Sequence, residues 1–230
     1  MVRQCSLVVL LTLALGTGVP GIAQSGNEQP FPRFVTKQGK LDSDGFPVSG
    51  ARLCLLPEQT TCYTMPSQPI PGGGGKYDFG LSPRSDKHAL PNGGAWTLFA
   101  ATFNAGGSGS LTRFALLRVT PERTLQNLLP DVALVDEGEA ALWDAGSASP
   151  FPLLVTAEPY WDMDHGESHF EAHRQTVQAW KFNPQTNQYV SVLRYRTTQK
   201  YGGDDGKPAT TVGPLTGERA RVLQQVTAKP

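Results

Sequence analysis

Apolar residues along this chain come in short runs, separated by glycine, proline, asparagine and aspartate, a pattern that predicts strands joined by tight turns. The strongest runs are Ala95–Phe103 and Leu111–Val119, which the glycine-serine stretch Ala105–Ser110 joins as a hairpin. A second hairpin is predicted from Gln175–Phe182 and Gln188–Lys200 around the turn formers Asn183–Asn187. The two-residue period puts Gln178, Trp180 and Phe182 on one face of its first arm, and Tyr189, Leu193 and Tyr195 on one face of the second. Shorter strands are expected at Phe31–Thr36 (an edge, because of Pro32), Ala51–Leu56, Thr61–Met65, Lys76–Leu81, Val132–Val135, Ala140–Trp143 and Phe151–Ala157. One segment has helical spacing instead: Leu215–Gln225, entered through Gly213-Pro214 and carrying Leu215, Ala220, Val222 and Leu223. The expected fold is therefore all-β, a β-sandwich or open barrel, with one short C-terminal helix.

Composition agrees, since glycine (25) and proline (19) are abundant enough to supply many turns. The N-terminus has a different pattern. Arg3 precedes an apolar core, Leu7–Leu15, and small residues follow up to Gly21-Ile22-Ala23. These are the parts of a signal peptide, with cleavage expected after Ala23 and a destination in the periplasm or outside the cell. The apolar core is far shorter than the roughly 20 residues that span a bilayer. Residues 24–30 form a polar lead-in, and 31–230 are expected to make a single β-rich domain.

Cysteine usage fits export. Cys5 leaves with the leader, and Cys54 and Cys62 remain as an even pair whose spacing suits a disulfide across a hairpin turning near Pro57–Thr60. A two-thiolate metal site would need further cysteines. Cys5 lies ahead of the apolar core, where no lipid anchor belongs. The chain has 20 basic and 20 acidic residues, with no basic stripe for nucleic acid and no polybasic face for anionic lipid. No membrane insertion is expected once the leader is removed.

Candidate chemistry is concentrated in Tyr160–His173, which holds three of the four histidines and four carboxylates. On an extended strand His165, Glu167, His169, Glu171 and His173 would face one way; on a helix the three histidines would stack at four-residue intervals. Imidazoles and carboxylates so placed suit zinc or another divalent metal, with His165, Glu167, His169 and His173 as the ligand set. No established metal motif matches: there is no H-E-x-x-H, and Asp162-x-Asp164 departs from a calcium loop at Gly166 and Glu167. An ordinary solvated loop and half-buried strand explain the same residues. Tyr160, Trp161, Asp162 and Asp164 also suit a sugar platform, in a glycosidase or a sugar-binding module.

Two stretches resemble a pattern in uncharacterised exported bacterial β-rich proteins. One is residues 94–130, with "GGSGSLTRFALLRV" leading to "LLP"; the other is 151–201, with "PLLVTAEPYW", "ESHFEAHR" and "YRTTQKY". The resemblance implies no activity. Gly39–Ala51 ("GKLDSDGFPVSGA") is similar to the opening of carboxypeptidase regulatory-like β-sandwich modules. Export, one disulfide, balanced charge and the lack of a complete catalytic motif point to a non-catalytic binding protein of the cell envelope, with a protein or polysaccharide partner. A metal-dependent hydrolase and a carbohydrate-active protein are the alternatives.

Overall fold

The computed structural model describes residues 32–70, 73–91, 94–104, 109–129, 133–146, 149–161, 171–202 and 212–228, without the side chains of residues 133 and 134. The leader 1–23 and the lead-in 24–30 lie outside them. The described residues form four antiparallel sheets and one helix, and none of the sheets closes into a barrel.

β1 (Phe34–Lys37), β2 (Arg52–Leu55) and β3 (Cys62–Thr64) make a three-stranded sheet in that order. Cys54 and Cys62 face each other across β2 and β3 and are bridged, as their spacing predicts. β4 (Gln68–Pro69) and β5 (Lys76–Tyr77) form a two-stranded ribbon. β6 (Leu81–Ala89), β7 (Ala95–Asn104), β8 (Ser110–Val119) and β10 (Ala133–Asp136) form a sheet in the order β10-β8-β7-β6, with β9 (Leu125–Asn127) also paired to β8. β11 (Glu139–Trp143), β12 (Leu153–Pro159), β13 (His173–Asn183) and β14 (Gln188–Tyr201) form the four-stranded sheet in sequence order. The helix α1 spans Pro214–Thr227, one residue earlier and two later than its spacing predicts.

The buried clusters show how these elements stack. Phe99, Ala101, Ala115 and Leu117 pack the five-stranded sheet against Leu53, Met65 and Phe79 on the side of the three-stranded sheet. Trp96, Leu98, Ala100, Phe114 and Leu116, on its other face, meet Leu154, Phe182 and Tyr189 of the four-stranded sheet. Leu153, Val155, Ala157, Val177 and Ala179 then meet Leu215, Val222 and Val226 of α1. Both middle sheets are covered on two sides. That is why β7, β8 and β12 read as near-continuous apolar runs instead of alternating ones. At the sandwich centre Trp96 lies parallel to Phe151 at 5.0 Å and meets Phe182 at 4.9 Å and Tyr189 at 5.7 Å. The Tyr189 hydroxyl donates to the Pro152 carbonyl at 2.7 Å, so its polar end is satisfied in this core, and burial pushes its pKa far up.

Two expectations need correction, and one strand was not expected. The strand expected over Lys76–Leu81 stops at Tyr77, and Leu81 instead opens β6. β6 (LSPRSDKHA) has too few apolar residues to signal a strand; it is an edge whose charges and Pro83 discourage further pairing. Tyr189, Leu193 and Tyr195 do not share a face. Ala179 pairs with Leu193 but Trp180 pairs with Ser191, so Val192 is an extra residue. This bulge leaves Tyr189 in the sandwich core and turns Leu193 and Tyr195 toward α1.

Candidate functional site

The helix does not cover the whole of its side of the four-stranded sheet. It begins at Pro214, where the side chain of Glu139 on β11 accepts from the Leu215 backbone N–H at 3.1 Å. Gly213, at the N-cap, has no side chain to do this, so a carboxylate from a distant strand satisfies the helix end. Beyond that point no described element covers the sheet face, and a cavity of about 300 Å³ lies there.

The sheet register explains which residues line it. Alternate residues of β11 to β14 face α1, and the last of these, past the end of the helix, are Glu139, Ala157, Pro159, Gln175, His173 and Tyr201. Trp161, just after β12, and Glu171, just before β13, add two more walls, and the Glu137-Gly138 turn between β10 and β11 closes one side. Trp161 meets the ring of His173 edge-on at 4.4 Å between centroids, and His173 is only 4% exposed. Gln175 is held by its backbone N–H on the Thr197 hydroxyl at 2.8 Å.

Tyr201 is positioned by the helix. Its hydroxyl donates to Glu218 Oε1 at 2.8 Å, and Tyr195 donates to Glu218 Oε2 at 2.7 Å. Arg221 lies 3.7 Å from the same carboxylate and 4.2 Å over the Tyr195 ring. Burial, then the bond to Glu218 and its negative charge, push the Tyr201 pKa up to about 12; the same causes push Tyr195 higher still. Gly217 makes the approach of Tyr201 possible: a Cβ there would stand 2.6 Å from the tyrosine oxygen. Glu218 is 7% exposed and takes the position between Leu215 and Val222 on the buried stripe. The expected apolar residue Ala220 is instead exposed.

Glu137, Glu139 and Glu171 line the cavity, and among the described residues no lysine or arginine does. Carboxylates only accept hydrogen bonds, and the indole and phenol rings offer flat apolar surface. Such a lining receives hydroxyl or ammonium donors and repels anions.

Of the residues singled out in sequence, the structure places Trp161, Glu171 and His173 in this cavity. Tyr160 lies on the opposite side of the sheet, with the Arg196 guanidinium 3.2 Å over its ring. His165, Glu167, His169, Asp162 and Asp164 lie outside the described residues. Among the described residues, no three His, Cys, Asp or Glu side chains are grouped to hold a metal ion. No described helix is long and apolar enough to cross a membrane, which leaves β-barrel insertion unaddressed. Glu137, Glu139, Gln175, Tyr201 and Glu218 are additions that sequence reasoning missed. The Asp136-Glu137-Gly138-Glu139 run, two glutamates around one glycine, was the available signal for the first two.

The comparisons with known proteins return nothing: no family model, no curated protein and no solved structure matches the chain.

Proposed function

We propose that the chain is exported and that its mature part is a non-catalytic binding protein of the cell envelope, which takes a neutral or amino-sugar unit of a polysaccharide in the helix-side cavity. The observation that carries this reading is the lining: three carboxylates, a glutamine, a histidine, a tyrosine and a tryptophan around about 300 Å³, without a lysine or arginine among the described residues. That volume is at the small end of ligand sites, suited to one sugar unit and not to a large cofactor. Sugar hydroxyls donate to carboxylates, and the C–H face of a pyranose packs on an indole ring. The leader pattern and the Cys54–Cys62 bridge support an oxidising destination.

The test is to present neutral and amino-sugar oligosaccharides to the purified mature protein. Binding that is lost in Trp161→Ala, with the sugar recovered unchanged, supports the reading. Uniform failure to bind, or cleavage of the sugar, overturns it.

A further inference from the structure

The acidity of the helix-side cavity goes beyond what a neutral sugar needs. Glu139 enters it from β11 and Glu171 from the segment just before β13. Between those two strands in the sheet lies β12, whose end brings Ala157, Pro159 and Trp161 to the same cavity. Carboxylates therefore flank an apolar strip that ends in an indole. Glu139 accepts the Leu215 N–H, yet among the described residues neither Glu139 nor Glu171 has a lysine, arginine or histidine nitrogen within 4.0 Å. On the helix, by contrast, Glu218 has Arg221 beside it and takes the Tyr195 and Tyr201 hydroxyls, so that charge is answered within the fold.

The neutral groups of the lining do little to offset the carboxylates. Tyr201 gives its hydroxyl proton to Glu218, and Gln175 turns one amide N–H to the His173 carbonyl at 3.4 Å. A bare metal ion does not suit the arrangement, because among the described residues no three His, Cys, Asp or Glu side chains are grouped to hold one. Carboxylates spread around about 300 Å³, with an aromatic face beside them, fit a molecular cation that has both an ammonium and a C–H surface. A lining of one sign also focuses its field on whatever enters. A sugar hydroxyl gains one hydrogen bond to a carboxylate there; an ammonium gains that bond and the attraction of the other carboxylates as well.

We infer that the cavity selects an amino sugar with a free, protonated amine over the same sugar carrying a hydroxyl or an acetamido group at that carbon. Acetylation removes the charge and adds an acyl group to a small site. The inference rests on the helix-side reading and names which of the sugars admitted there is preferred.

The test is calorimetric titration of the mature protein with β-1,4-linked trimers of glucose, glucosamine and N-acetylglucosamine, which differ only at carbon 2, at a pH that keeps the amines protonated. Trilysine serves as a cation that is not a sugar. The glucosamine trimer is expected to bind at least about tenfold more tightly than the other two, the scale of one charge-assisted contact, and more tightly than trilysine. That advantage should shrink as salt is raised. The double variant Glu139→Gln, Glu171→Gln keeps an amide oxygen for the Leu215 N–H and, with an unchanged melting temperature, should bind the three trimers with comparable affinity. Glu171→Gln alone, which leaves the helix cap untouched, should reduce the preference in the same direction. Equal binding of the three trimers by the wild type, a preference that survives both variants and high salt, or trilysine bound as tightly as the glucosamine trimer overturns the inference while sugar binding stands. If no trimer binds, the helix-side reading falls and the inference falls with it.

Discussion

On the helix side of the four-stranded sheet, Glu139, His173, Gln175 and Tyr201 surround an acidic, aromatic cavity; on the sandwich side, Thr102, Asn104, Ser110 and Thr112 of the facing five-stranded sheet line a cleft of about 510 Å³ with hydroxyl walls. The two lie on opposite faces of the four-stranded sheet, to which neighbouring residues such as Gln175 and Thr176 point in turn. Toward the middle of the sheet the same alternation gives two apolar faces, Leu154 against the sandwich and Val155 against α1. The difference between the two ends lies in what covers them. Where a sheet or a helix lies over a face, its residues are apolar; where the cover stops, they become polar and carry the candidate chemistry. The Glu137-Gly138 turn belongs to both cavities and carries the chain from the five-stranded sheet to the four-stranded one. Glu137 takes a left-handed φ of 50°, a conformation that L side chains seldom adopt.

The largest expected effect breaks both sides at once. A Cβ on Gly138 would stand 2.5 Å from the Ala157 carbonyl oxygen and 2.9 Å from the Val135 Cβ, so backbone must move. Gly138→Ala should lower stability by about 3 kcal/mol, seen in urea denaturation, and should weaken sugar binding in the helix-side cavity.

A smaller effect separates the sides. Glu218→Ala leaves the Tyr195 and Tyr201 hydroxyls without their acceptor and should reduce stability by about 2 kcal/mol, leaving the sandwich-side cleft intact. The same pair makes the helix side sensitive to alkali. Folding holds the Tyr201 proton up to about 12, against an ordinary value of 10.0, so this stability is full below the ordinary value and is lost as pH rises through about 12. Circular dichroism followed with tyrosinate absorbance should show α1 loosening in that interval, and Tyr195→Phe with Tyr201→Phe should remove the dependence.

The smallest effect belongs to the sandwich side. Burial raises the Glu158 pKa above 4.5, against the pull of the Asp136 N–H and Arg194. A raised carboxyl favours the folded state while protonated, and its contribution is lost as pH rises through the folded value. Glu158→Gln keeps an acceptor for Asp136, so it should melt slightly above the wild type at neutral pH, with the gap closing as pH falls through the raised value toward 4.5. Melting curves across that range check this.

The strands with long apolar runs were legible in the sequence because burial on both faces writes itself into every residue, as in Ala95–Phe103 and Leu111–Val119. The polar edge β6 and the short β4 and β9 were not, since their pairing depends on neighbours distant in sequence. The bulge at Val192 was equally hidden: one inserted residue reverses the facing of Leu193 and Tyr195 without changing composition. Trp161 and His173 drew attention through residue type. Glu139, Gln175 and Tyr201 join them only through register, and Glu218 only through the spacing Leu215, Glu218, Val222, Val226, in which a charge takes an apolar place.

The most direct test of the account is calorimetric titration of the mature protein with neutral and amino-sugar oligosaccharides, alongside Trp161→Ala and Glu171→Gln. The account predicts saturable binding of at least one of them, abolished by Trp161→Ala and weakened by about tenfold in Glu171→Gln, because a charged acceptor is replaced by a neutral amide. Binding that persists unchanged in both variants, or no binding to any of these sugars, would contradict it.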